Sequence, residues 1–134
     1  MSTITDLHHL AGSELSAVCF VRDYIELHFD GPTLRILASP ILINGESRWE
    51  FPQDGSRDAL CGLIGSVVVS AAEQPDSLVL EFEGGALLEV PKASRGAGPE
   101  IAHFVPMREG RPDAASMTTW ENLISTHDDS AGLL

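Results

Sequence analysis

The strongest constraint on the fold is that the apolar skeleton of the chain is written twice. Leu7, Leu10, Gly12 and Ser13 recur as Leu60, Leu63, Gly65 and Ser66, an L-x-x-L-x-G-S pattern displaced by about 53 residues. The same displacement lays Ile25, Leu27, Phe29 and Gly31 over Leu78, Leu80, Phe82 and Gly84. With one residue inserted after Gly84, Leu34 and Ile36 fall over Leu88 and Val90, and ESRWEFP (46–52) falls over EIAHFVP (100–106). Blocks recurring in the same order point to an internal duplication, with repeat one over about residues 5–55 and repeat two over about 57–107.

Each repeat reads as a short helix followed by a β-meander. Thr5 or Asp6 can cap a brief helix carrying Leu7, Leu10 and Ala11, which Gly12 ends; Ser56 can cap RDALCGLI, which Gly65 ends. Ile25, Leu27 and Phe29 alternate with Glu26, His28 and Asp30, the period of a half-buried strand. Leu78 to Phe82 repeats that period. Turns are expected at Asp30-Gly31-Pro32-Thr33, Glu73-Gln74-Pro75-Asp76 and Glu83-Gly84-Gly85, and Asn44-Gly45 is a hairpin signal between Ile41-Leu42-Ile43 and Arg48-Trp49-Glu50-Phe51. Where repeat one has that hairpin, repeat two has residues 93–99, a flexible loop by composition. The remainder, 108–134, reads as a C-terminal extension: MREGRPD as a linker, Met117, Trp120 and Ile124 at helical spacing in a stretch whose Thr118 and Thr119 would also suit a strand, and a frayed polar end.

At 134 residues the chain suits a single domain that buries roughly two-thirds of its unfolded surface. Two such units cannot each bury a separate core, so the expected class is α+β, mainly antiparallel β: one pseudo-twofold curved sheet or open barrel with a groove between repeats. With 8 basic against 20 acidic residues and a net charge of -12, nucleic acid is excluded as a partner, because phosphates must be met by clustered Lys and Arg. No apolar run approaches the roughly 20 residues of a membrane span, and the first residues lack a signal-peptide layout, so a cytoplasmic protein with no membrane partner is the expectation. Cys19 and Cys61 sit in apolar stretches without C-x-x-C spacing and read as reduced, buried thiols. Lys92 is the single lysine; the arginine bias fits a GC-rich bacterial genome and carries no mechanism.

Candidate sites are few. His8-His9 with Asp6 could suggest a metal, but adjacent helical residues point about 100° apart, so the two imidazoles are not expected to share one ion. His127-Asp128-Asp129 lies in the polar tail, where ligands would have to come from elsewhere. No nucleophile elbow, P-loop or dinucleotide fingerprint is present, so no catalytic residue, metal or cofactor is assigned. Trp49, Phe51 and Trp120 read as core or interface anchors. The outward face of the central strands carries the remaining chemistry: Glu26 and His28 with Arg35 expected roughly opposite His28 in repeat one, and Glu81 and Glu89 expected to face each other across the hairpin of repeat two if the inserted residue makes its turn a three-residue loop. Such a carboxylate pair suits general acid/base work, a docking surface for a basic protein, or a plain solvated face.

In size, acidity, sheet content and lack of a catalytic motif, the chain resembles the small acidic immunity proteins that bacteria make against their own polymorphic toxins, and bacterial families of similar build. The resemblance is one of general character and assigns no site residue. It implies a non-enzymatic interaction module whose negative surface caps a basic, nuclease-like site. Two other readings stand beside it: a small ligand-binding protein or enzyme using the groove between repeats, and a homo-oligomeric structural protein, such as a homodimer, assembled through a sheet face or edge.

Overall fold

Burial alternates along the central strands as the period-two pattern requires: in Tyr24–His28 only Ile25 and Leu27 are buried, and in Ser77–Phe82 only Leu78, Leu80 and Phe82. The structure, a computed structural model, describes residues 6–124. A 3₁₀ helix, Asp6–Leu10, leads into β1 (Ala17–Val21), β2 (Tyr24–His28), β3 (Thr33–Ile36), β4 (Ile41–Asn44) and β5 (Ser47–Glu50). Helix α1 (Ser56–Cys61) opens a second series, β6 (Val68–Glu73), β7 (Ser77–Phe82), β8 (Leu87–Pro91) and β9 (Glu100–Val105). A two-stranded hairpin of β10 (Met107–Arg108) and β11 (Arg111–Pro112), a 3₁₀ turn at Ala114–Ser116 and β12 (Thr118–Glu121) follow.

These strands form two five-stranded antiparallel sheets, not one curved sheet or open barrel. The orders are β1-β2-β3-β9-β12 and β5-β4-β8-β7-β6, and neither sheet closes on itself. The chain crosses between them twice. Leaving β3, it passes through Leu37–Pro40 and enters the second sheet as β4, beside β8; leaving β8, it passes through 92–99 and enters the first sheet as β9, beside β3. One core cluster holds inward residues of both sheets, with Leu27, Phe29, Leu34 and Phe104 from the first and Leu42, Leu78, Leu80, Phe82 and Leu88 from the second. The architecture is mainly antiparallel β with one short α-helix, a β-rich α+β fold.

The segments after the two helices join each other. Glu14 and Val67 form an antiparallel bridge, flanked by Gly12 N to Val68 O (2.7 Å), Val68 N to Ser13 O (2.8 Å), Leu15 N to Ser66 O (2.9 Å) and Gly65 N to Leu15 O (2.8 Å). The 3₁₀ helix packs on β6, and α1 packs on β1, β4 and β5. ESRWEFP and EIAHFVP occupy unlike places, because β5 is an edge strand whereas β9 lies between β3 and β12.

Several local expectations are corrected. The first helix is 3₁₀, and α1 is capped by Gly55, in the left-handed region at φ 85°, not by Ser56. Ser56 is instead the first helical residue, buried, and its Oγ has no hydrogen-bond partner among the described residues. In the stretch that suited either a helix or a strand, Thr118–Glu121 is strand β12, because it adds to the open edge of β9 and turns Trp120 into the core; helical geometry is confined among the described residues to the 3₁₀ turn before it and to Leu123 and Ile124 after it. MREGRPD is not a linker but the β10–β11 hairpin, whose turn residues Glu109 and Gly110 take φ 55° and 77°. The frayed polar end and His127-Asp128-Asp129 lie outside the described residues.

The 93–99 loop is clasped from an unexpected quarter. Asn122, buried to 1% exposure, donates through Nδ2 to the carbonyls of Ser94 (2.7 Å), Gly98 (2.9 Å) and Ala97 (3.3 Å), while its Oδ1 accepts from the amides of Ser94 (3.1 Å) and Ile124 (3.0 Å). Asn122→Ala strands these backbone groups and should lower the unfolding free energy by about 2–4 kcal/mol, read as a lower urea midpoint at unchanged slope. Ser56→Ala should do the reverse on the same assay. It removes a buried hydroxyl that has no partner among the described residues and should be neutral or stabilising by up to about 1 kcal/mol.

Candidate functional site

Because inward positions are spent on the shared core, the chemistry of the two sheets lies on their outward faces. On the first sheet, register sets Glu26 opposite Arg35 and Arg35 opposite His103, while His28 stands opposite Thr33. The expected facing of His28 and Arg35 is therefore displaced by two residues, since Phe29 N bonds Pro32 O and closes the hairpin at Thr33. The three candidate residues still meet. Arg35 Nε donates to Glu26 Oε2 at 3.1 Å, His28 Nε2 lies 3.1 Å from Glu26 Oε1, and the Arg35 guanidinium sits 5.2 Å from the Tyr24 ring centroid.

His103 and Glu100 extend this ladder. Arg35 Nη1 lies 3.3 Å from His103 Nδ1 and His103 Nε2 lies 2.6 Å from Glu100 Oε1. A guanidinium has only donors, so Nδ1 must accept, and the ring is held as the tautomer whose Nε2–H donates to Glu100. Glu26 and Glu100 thus each have a cationic or N–H partner within the sheet, whereas Glu121, in register with Glu100 on β12, is exposed and makes no ion pair among the described residues. The sequence showed no sign of His103 or Glu100, because their neighbour on β3 is 68 residues away in the chain.

The outward face of the second sheet is built differently. Glu81 stands opposite Leu87 and Glu89 opposite Val79, so the two carboxylates do not face each other. The three-residue loop Glu83-Gly84-Gly85 does form, but Phe82 N to Ala86 O at 2.8 Å closes it about Gly84, one residue before the centre that a direct Glu81–Glu89 pairing would need. Glu89 is flanked on its other side by Ile41, and Ile41 by Glu50. Ile41, Ile43, Val79 and Leu87 are all half-buried on this face. Glu81, Glu89 and Asp76 make no ion pair among the described residues, and the Arg48–Glu50 pair is long, at 3.9 Å, and exposed, which makes it weak. A shallow groove of about 360 Å³ runs between Ile41, Gln74, Asp76, Ser77, Glu89 and Pro91, and Glu81 is not part of it.

Other candidate residues fall away from these faces. His8 and His9 are exposed on the 3₁₀ helix with ring centroids 4.2 Å apart, closer than their adjacency on an α-helix suggested. Among the described residues no three His, Cys, Asp or Glu side chains converge as they would around a metal ion. Both cysteines are unbridged, but neither is buried: Cys19 is on the outward side of β1 opposite Glu26, and Cys61 is exposed on α1. Trp120 is buried, and Trp49 and Phe51 pack half-buried against the core. No helix among the described residues is long and apolar enough to cross a membrane.

Lys92, the single lysine, ties the two sheets. Its Nζ donates to Glu73 Oε2 at 2.7 Å, and the Trp120 indole of the first sheet lies near enough to the Glu73 carboxyl to favour its charged form. Partial burial opposes ionisation there, but the Lys92 hydrogen bond and charge, with Trp120, outweigh it and hold the Glu73 carboxyl below its ordinary value of 4.5. No protein-family model, curated protein or solved structure matches the chain, so the site rests on its own geometry. A depressed carboxyl contributes stability that is complete above the unfolded value and is lost as pH falls through the folded one. Glu73→Gln should accordingly destabilise the protein at pH 7 by about 1 kcal/mol, allowing for solvent screening, and the deficit should shrink in denaturant titrations carried below pH 4.

Proposed function

We propose that the chain is a non-enzymatic interaction module, an acidic inhibitor of the immunity type, that caps a basic protein with the outward face of its second sheet. One contrast carries this reading. On the first sheet Glu26 and Glu100 are held by Arg35, His28 and His103, whereas the second leaves Glu81, Glu89 and Asp76 unpaired among the described residues around half-buried Ile41, Ile43, Val79 and Leu87. Unpaired carboxylates ringing apolar side chains suit a partner whose lysines and arginines surround a smaller apolar contact. The net charge of -12 adds long-range steering toward such a partner.

The same reading includes an origin by duplication, with the two halves related by a pseudo-twofold axis. It is supported by the matched strand orders, in which three consecutive strands of one repeat are followed in each sheet by a strand of the other, with the fifth place taken by β5 in one sheet and by β12 of the C-terminal extension in the other, and by the mutual bridge between Glu14 and Val67, which the 53-residue displacement places over each other. The matched skeletons then carry unlike surfaces, so a partner distinguishes one face from the other.

Affinity capture with the intact chain, at low and at moderate salt, tests the proposal. A basic protein should be retained at low salt, and the Glu81→Gln/Glu89→Gln double variant should slow its association by about tenfold while leaving the fold intact. Recovery of the protein alone, or equal capture by the double variant, contradicts it.

A further inference from the structure

A second groove, sharing no residue with the acidic face, lies where the chain crosses from the first sheet to the second. It has a volume of about 400 Å³; Phe20, Ile36 and Phe51 form its apolar wall, and Arg22, Asp23 and Arg57 its charged rim. The Phe20 and Phe51 rings lie 11° from parallel with centroids 5.8 Å apart. The Arg57 guanidinium stands over both, 5.0 Å from the Phe51 centroid and 5.7 Å from that of Phe20.

These arginines have no counter-charge of their own. Neither Arg22 nor Arg57 forms an ion pair among the described residues, unlike Arg35, Arg48 and Arg108, whose carboxylate partners are Glu26, Glu50 and Asp113. In a chain with 8 basic and 20 acidic residues, two unpaired arginines on one groove concentrate positive charge where it is otherwise scarce. A guanidinium stacked on a ring keeps its N–H edge available, and that edge matches a carboxylate bidentately. Asp23 on the same rim limits the groove to a net charge near +1, which suits one negative charge and disfavours a polyphosphate.

We propose that this groove binds a small planar carboxylate: an aromatic or heteroaromatic acid of one or two rings, its ring against Phe51, Pro52 and Ile36 and its carboxylate on Arg57 and Arg22. The volume lies at the low end of small-molecule sites, which excludes a large ligand. Because the acidic face contributes nothing here, this site and the docking surface can fail separately.

Titration of the isotope-labelled intact chain with 2-naphthoate, followed by amide chemical shifts, provides the test. Saturable shifts should concentrate at 21–24, 37–39 and 57. The neutral analogue 2-naphthylmethanol should bind at least tenfold more weakly, Arg57→Gln and Arg22→Gln should each weaken 2-naphthoate several-fold or more, and Glu89→Gln should bind it unchanged. Absence of saturable shifts at millimolar 2-naphthoate, equal binding of the neutral analogue, or wild-type affinity in both arginine variants would overturn the proposal.

Discussion

Neither half of this chain completes its own sheet. The open edge of β3 is filled by β9 and the open edge of β8 by β4, so that Leu34 stands beside Phe104 and Leu88 beside Leu42. A strand edge left unpaired would expose a row of N–H and C=O groups, and a three-stranded meander alone would leave its apolar face to water. The exchange answers both problems at once. It also explains why the segments that follow the two helices hydrogen-bond to each other: Gly12 to Leu15 and Gly65 to Val68 come together where the two halves meet.

The surface chemistry is a consequence of that arrangement. Once the inward side chains of both sheets share one core, a strand's remaining side chains must point outward, and a shift of one residue would exchange the two sets. Register then decides which charges meet. In the first sheet a four-residue connection brings Glu26 level with Arg35 and, through β9, with His103. In the second, an equally long connection, 83–86, sets Glu89 between Val79 and Ile41, where no ion pair among the described residues neutralises it. Similar apolar skeletons thus carry one face whose Glu26 and Glu100 have partners within the sheet and another whose Glu81 and Glu89 have none among the described residues. The groove at Phe20, Phe51 and Arg57 arises at the first crossover, where the β1–β2 turn, the end of β3 and the start of α1 converge.

Much of the local structure is legible in the sequence. Period-two alternation marks β2 and β7, Asn44-Gly45 marks the β4–β5 hairpin, and the recurring L-x-x-L-x-G-S pattern marks the two helical starts. What is not legible is long-range. Nothing local says that β9 rather than β4 lies beside β3, so His103 and Glu100 escaped notice although Glu26, His28 and Arg35 did not. The centre of a hairpin mattered equally, since a one-residue difference in where it lies moved Glu81 away from Glu89. Lys92 and Asn122, unremarkable in sequence, become clamps only because β12 reaches the edge of β9. Helical spacing in 115–125 was overridden by that open edge, where strand pairing satisfies backbone groups that a helix would leave exposed.

Native-state hydrogen exchange on the intact chain tests the interlock most directly. With each sheet completed by a strand from the other half, the slowest amides of the β3–β9 pair and of the β4–β8 pair should exchange through one common opening, with the same free energy and the same dependence on denaturant. Two separate free energies, one for each sheet, would contradict it.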